Sequence, residues 1–173
     1  MLPEAVHVAI VLSPFLLLPA AGWLGGRGCR DASLLAVVPA LLTAYFGFIY
    51  SLVSTSGVFT VTLPWATNLG LSLSFHFDGL GLMFATLITS VGALIVVYAA
   101  KYLDGHRGVR KFYVSLFAFM GSMLGFVLAD NVLTLFVFWE LTGFTSYLLI
   151  GFEHERPQAR AAALQHKCFI PRG

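Results

Sequence analysis

The chain has 173 residues, 58% of them hydrophobic and only 10% charged, with a mean hydropathy of +0.87. Ten basic and eight acidic residues cannot coat a soluble fold of this size, which excludes a soluble globular protein unless those charges gather at a few places. They do gather: residues 5–26, 32–77, 79–100 and 112–129 hold no Asp, Glu, Lys or Arg, and each stretch is long enough to cross a hydrocarbon core about 30 Å thick.

Read along the chain, the pattern predicts an all-α membrane protein of five helices with a short external β-hairpin. Met1-Leu2-Pro3-Glu4 places an acid where a signal peptide carries Lys or Arg, so the first apolar stretch is expected to remain as a membrane helix over 5–24. Pro14 and Pro19 punctuate it, which a membrane helix tolerates when neighbours re-satisfy the freed carbonyls. The basic, Gly-rich turn Gly25-Gly26-Arg27-Gly28-Cys29-Arg30 ends it, and a second helix follows over 32–54. The periodicity then changes from helical to alternating. Phe59, Val61 and Leu63, and then Leu69, Leu71, Leu73, Phe75 and Phe77, alternate with small or polar residues, predicting a hairpin over 57–77 at the membrane surface. Helices over 79–101, 111–129 and 131–151 complete the 1–165 membrane domain. Gly121 and Gly125 in the fourth make a GxxxG, read as a helix-packing signal.

Orientation follows from the cations. Arg27, Arg30, Lys101, Arg107, Arg110, Lys111, Arg156, Arg160, Lys167 and Arg172 all follow helix one, three or five. Those connections share one side, so it is expected to be cytoplasmic, with the N-terminus, the hairpin and the Asp130-Asn131 turn outside.

Seven acids, Glu4, Asp31, Asp78, Asp104, Asp130, Glu153 and Glu155, lie in turns or at helix ends. Glu140 does not. It follows Asn131 by nine residues, roughly 14 Å into the fifth helix and near the midplane. An ionised carboxylate costs several kcal/mol there unless it is protonated, paired or facing a wet cavity, and each of those makes it a proton or cation handle. Its helical neighbours Leu133, Phe136, Val137, Phe144 and Tyr147 are apolar or aromatic, Gly143 leaves room beside it, and Asn131, Thr134, Thr142 and Thr145 project from the other side. The helix is therefore expected to be buried in protein all round. An interhelical hydrogen-bonding role for Glu140 is the structural alternative. Secondary site candidates are Asp78, at the mouth of the third helix, and His76; for Asp78 helix capping is the commoner role, and a surface His such as His76 or His7 is usually only solvated. Cys29 and Cys168 are far apart without CxxC or paired His, so no disulfide, metal site or cofactor is expected, and no motif of the common soluble enzyme classes is present.

Four stretches carry a family resemblance: Ser74-Phe-His-Phe-Asp-Gly-Leu-Gly-Leu-Met-Phe-Ala85, Tyr98-Ala-Ala-Lys-Tyr102, the run from Phe119 to Asn131, and Phe138-Trp-Glu-Leu-Thr-Gly-Phe-Thr-Ser-Tyr-Leu-Leu-Ile-Gly151. Over about residues 5–165 the chain resembles the N-terminal part of the large MrpA-type component of Mrp-type multisubunit Na⁺/H⁺ antiporters, a superfamily that includes the antiporter-like, proton-pumping L component of respiratory complex I. The resemblance implies exchange of cytoplasmic Na⁺ for external H⁺, with H⁺ and Na⁺ as transported ions, further subunits and the bilayer of the cell membrane as partners, and no nucleic acid. It implies that Glu140 is the essential charged residue of the first half-channel, partnered in the family by a Lys of a seventh helix. The alternatives are a proton-translocating component of a quinone-reducing enzyme or membrane-bound hydrogenase, and a scaffold without activity. Residues 166–173, His166-Lys-Cys-Phe-Ile-Pro-Arg-Gly173, depart from the family pattern and read as a truncation or frameshift.

Overall fold

The computed structural model describes residues 4–24, 33–66, 71–103 and 108–151; the basic turn 25–30 and the atypical tail 166–173 lie outside them. The first membrane segment is α1 (Glu4–Leu16) followed directly after Leu17 by α2 (Leu18–Leu24), and Val6–Leu24 forms one apolar span. Pro14 has no N–H to return to the Ile10 carbonyl, and the Ser13 hydroxyl donates to that carbonyl instead, at 2.7 Å. Pro19 withdraws a second N–H five residues on, and between the two prolines Leu17 N–H donates to Ser13 (3.1 Å) and Ala21 N–H to Leu17 (2.8 Å), carrying the hydrogen bonding through.

The remaining elements are α3 (Val37–Ser56), β1 (Phe59–Ala66), β2 (Leu71–Phe77), α4 (Gly79–Tyr102), α5 (Val109–Val127) and α6 (Val132–Gly151). Among the described residues four segments, Val6–Leu24, Val37–Ser54, Gly79–Tyr102 and Val132–Gly151, are long and apolar enough to cross a membrane. α5 stands at the position of the fourth predicted helix; Arg110 and Lys111 in its first turn lower its mean apolarity, while residues 112–127 hold no charge. It is the central helix, with α1 and α2 on one side, α6 on another and α4 on a third. It buries Ser115 and Ser122 together with Tyr113, Phe117 and Leu124.

The hairpin forms as the alternation predicts. β1 and β2 are antiparallel with Phe59 opposite Phe77 and Val61 opposite Phe75, and the register is interrupted only between Pro64 and Ala66. Phe75, Phe77 and Val61 point into the core, and the Phe59 and Phe77 rings stack with centroids 4.8 Å apart, while Thr60 and Thr62 face away. The chain leaving α5 then joins β2 as a third strand-like segment: His76 N–H donates to Leu128 (2.8 Å), Asp130 N–H donates to Ser74 (2.9 Å), and Phe75 bridges Ala129. Thus α5, antiparallel to α4, returns the chain to the hairpin end.

Candidate functional site

The residues singled out from the sequence fall in two places. The hairpin end holds Asp78, His76, Asp130 and Asn131; Glu140 lies alone along α6.

At the hairpin end, Asp78 is a helix cap. Its carboxylate accepts from the Gly81 N–H at 2.8 Å, satisfying one of the orphan donors of α4. Gly81 permits that approach, since a Cβ there would stand 2.7 Å from Asp78 Oδ1. His76 is half exposed; its Nδ1 lies 2.9 Å from the Thr60 hydroxyl and 3.8 Å from Asp130 Oδ1, a solvent-accessible pair that ties β1, β2 and the turn before α6.

Asn131 does more than its place in the sequence predicts. Rather than projecting from the flank of α6, it stands before the helix as its cap. Its Oδ1 accepts from Thr134 N–H at 2.6 Å, and its Nδ2 donates to the Ser72 carbonyl at 2.9 Å and reaches the Ser74 hydroxyl at 3.3 Å. The Thr134 hydroxyl, fully buried, closes the loop by accepting from Ser74 N–H at 3.3 Å. An Asn immediately before an apolar run is a helix-start signal; its second attachment, to a strand 59 positions earlier, has no local signature. His7 also departs from expectation. It is buried rather than solvated, hydrogen-bonded through Nδ1 to the Tyr45 hydroxyl and packed against Phe59 and Phe77 with ring centroids 5.2 and 5.7 Å away.

The rotation of α6 decides where Glu140 points. Thr134, Phe138 and Thr145 are the buried residues of this helix. Phe138 is the anchor: its ring fills the notch left by Gly125 on α5, where an added Cβ would come within 2.3 Å of it, and Gly121 one turn back accepts Phe15 of α1 in the same way, at 2.8 Å. The GxxxG of α5 is therefore a pair of ring sockets, a packing device as read. Glu140 follows Phe138 by two residues, about 200° around the helix, so the socket that seats Phe138 turns Glu140 away from α5. Among the described residues α6 is covered on one side only: Glu140, Phe136, Gly143, Phe144 and Tyr147 share an exposed face, and nothing lies within 4 Å of a Cβ built on Gly143. Among the described residues no hydrogen bond or ion pair is made by Glu140. It lies eight residues into a helix of 20 residues, about 12 Å from its start, and the structure does not bring Asp78 or His76 to it. No group of three or more His, Cys, Asp or Glu gathers among the described residues to hold a metal.

Comparison with known proteins places these features in context. Residues 64–113 match the family model described as NADH-ubiquinone oxidoreductase (complex I), chain 5 N-terminus. The A-type subunit of the Na⁺/H⁺ antiporter of Alkalihalophilus pseudofirmus is 41% identical over 155 residues, covering 88% of this chain and 19% of that protein. The A/B-type subunit of a probable K⁺/H⁺ antiporter of Rhizobium meliloti is 40% identical over 162 residues, covering 88% of this chain and 16% of that one. The structure of the Mrp complex from Dietzia sp. DQ12-45-1b superposes with a TM-score of 0.54 and 28% identity over 77% of this chain and 16% of the matched chain. The chain therefore spans less than a fifth of the length of these relatives.

Proposed function

We propose that this chain, a relative of the A-type subunits of Na⁺/H⁺ antiporters and akin in fold to part of an Mrp complex, is a membrane segment of a multisubunit monovalent cation/proton antiporter that exchanges cytoplasmic Na⁺ for external H⁺. Glu140 is its proton- and cation-coupling residue. The observation that carries the reading is the position of that carboxyl: well inside an apolar helix, on the face turned away from the other described elements. A carboxylate facing acyl chains is disfavoured by several kcal/mol, so the face that bears it meets other polypeptide and water rather than lipid. The relatives' much greater length supplies that polypeptide.

In this reading the residues divide the work. Phe138 in its socket and Asn131 at the cap hold α6 at one rotation and one depth. Glu140 takes up a proton or a cation on its carboxyl oxygens, and its occupancy responds to a counter-charge brought by the rest of the assembly. The N-terminus and the hairpin lie outside, the basic connections in the cytoplasm.

The test uses the full-length gene with its neighbours in an antiporter-deficient cell. Glu140→Gln keeps the shape and removes the charge; it is expected to abolish salt tolerance and Na⁺-dependent proton flux in everted vesicles, with the protein still present in the membrane. Undiminished flux in that variant would remove Glu140 from the mechanism. The complex I match over 64–113 supports a second reading, a proton-translocating component of a quinone-reducing enzyme. Proton movement that requires NADH oxidation and ignores Na⁺ would favour it.

A further inference from the structure

Among the described helices α3, α4 and α6 present long open faces, and the chemistry of the last two differs. The α6 face carries Glu140. The α4 face carries no ionisable side chain from Gly79 to Val97: Leu80, Leu87 and Leu94 recur along it at helical spacing, with Leu94 70% exposed, while Gly81, Ala85, Thr89, Gly92, Val96 and Ala99 of the same helix turn inward. This is a division between a face packed on protein and a face matched to something wholly apolar.

The stripe ends differently at its two ends. Tyr98 lies nineteen residues past Gly79, about 29 Å along the helix axis, the thickness of a hydrocarbon core. There the Tyr98 and Tyr102 rings stack, 5.5 Å apart and 16° from parallel, both exposed, with exposed Lys101 between them in sequence. Aromatic rings with a polar tip settle at the headgroup level, and a lysine stem lies along apolar surface while its ammonium reaches the interface. Charge sorts the same way. All three Lys and Arg among the described residues, Lys101, Arg110 and Lys111, stand at this end, on the last turn of α4 and the first turn of α5. Asp78 and Asp130 stand at the hairpin end.

We propose that the outward face of α4 is a lipid boundary of this molecule, and that Tyr98, Lys101 and Tyr102 seat the headgroup of an anionic phospholipid at its basic end. The acyl chains lie along Leu94 and Leu87, the ammonium of Lys101 faces the phosphate, and the stacked phenols mark the depth of the glycerol region. The proposal stands on the chemistry of α4 and is independent of the transport reading.

Two measurements on the full-length protein test it. With the photoreactive substitution Leu94→benzoylphenylalanine, irradiation in the native membrane is expected to yield adducts of phospholipid mass; adducts to polypeptide would overturn the boundary assignment. After equilibration with vesicles of equal phosphatidylglycerol and phosphatidylcholine, native mass spectrometry is expected to show retained phosphatidylglycerol in excess. Lys101→Gln, at an exposed position, is expected to lower that ratio about fivefold, the effect of roughly one basic residue near an anionic surface. An unchanged ratio would overturn the headgroup site.

Discussion

A methyl group added at Gly125 has nowhere to go. In Gly125→Ala the new Cβ lies 2.3–2.5 Å from three ring carbons of Phe138, against the roughly 3.5 Å at which two carbons first rest comfortably, so about 1.2 Å must be found. The ring cannot yield it. Phe138 is buried to 4% exposure and fenced by Phe15 and Phe75, whose centroids are 6.4 and 6.0 Å from its own. The helix that carries Phe138 must move, and overpacking of this kind costs about 1–3 kcal/mol. At roughly 3 °C per kcal/mol for a domain of this size, the thermal midpoint in detergent is expected to fall by about 3–9 °C. Gly121→Ala meets Phe15 at 2.8 Å, an overlap about half as large, and is expected to cost less. Gly47→Ala, with nothing within 4 Å, is expected to be neutral or to gain up to about 1 kcal/mol from helix propensity. The decisive comparison is the double variant. In a Phe138→Ala background the socket is empty, so Gly125→Ala should be nearly free there, with a coupling of about 1–3 kcal/mol. An equal cost in both backgrounds would refute the argument that the ring and the notch set the position of α6.

Asn131 offers a separation of two roles: Asn131→Asp keeps the capping oxygen and loses the donor to Ser72, whereas Asn131→Ala loses both. The alanine variant is expected to be destabilised by about 2 kcal/mol and the aspartate by less, with protease cleavage of the hairpin read alongside the thermal midpoint. Thr43 donates to the Thr89 hydroxyl at 2.9 Å between α3 and α4. Thr43→Val is expected to cost only about 0.6 kcal/mol, since hydrogen bonds between membrane helices average that, and unfolding in a denaturing detergent measures it. Asp130→Asn weakens the exposed His76 pair at 3.8 Å and is expected to change stability by under about 1 kcal/mol, an effect that should vanish in high salt.

Much of the fold is legible in the sequence because the bilayer enforces it. A membrane segment must hide its backbone and exclude charge, so charge-free stretches announce spans, and the placement of cations suggests an orientation. The hairpin is readable because a sheet with one buried face alternates at period two, which Phe75 and Phe77 obey. Glu140 stands out for the converse reason, as the one acid where the solvent disfavours it. What is not legible comes from partners distant in sequence. His7 reads as a surface residue because its cover, Phe59 and Phe77, lies more than fifty positions away.

The sequence by itself determined which segments are apolar enough to enter the membrane, where the strands fall, and that a single carboxyl, Glu140, lies deep within a helix. These follow from solvation, which acts on each segment whatever its neighbours do. Only the tertiary structure decided which way that carboxyl faces. The rotation of α6 is set by Phe138 entering the Gly125 notch and by Asn131 gripping β2, both contacts between elements, and a helix with apolar residues all round carries no internal signal of its own for which side turns in.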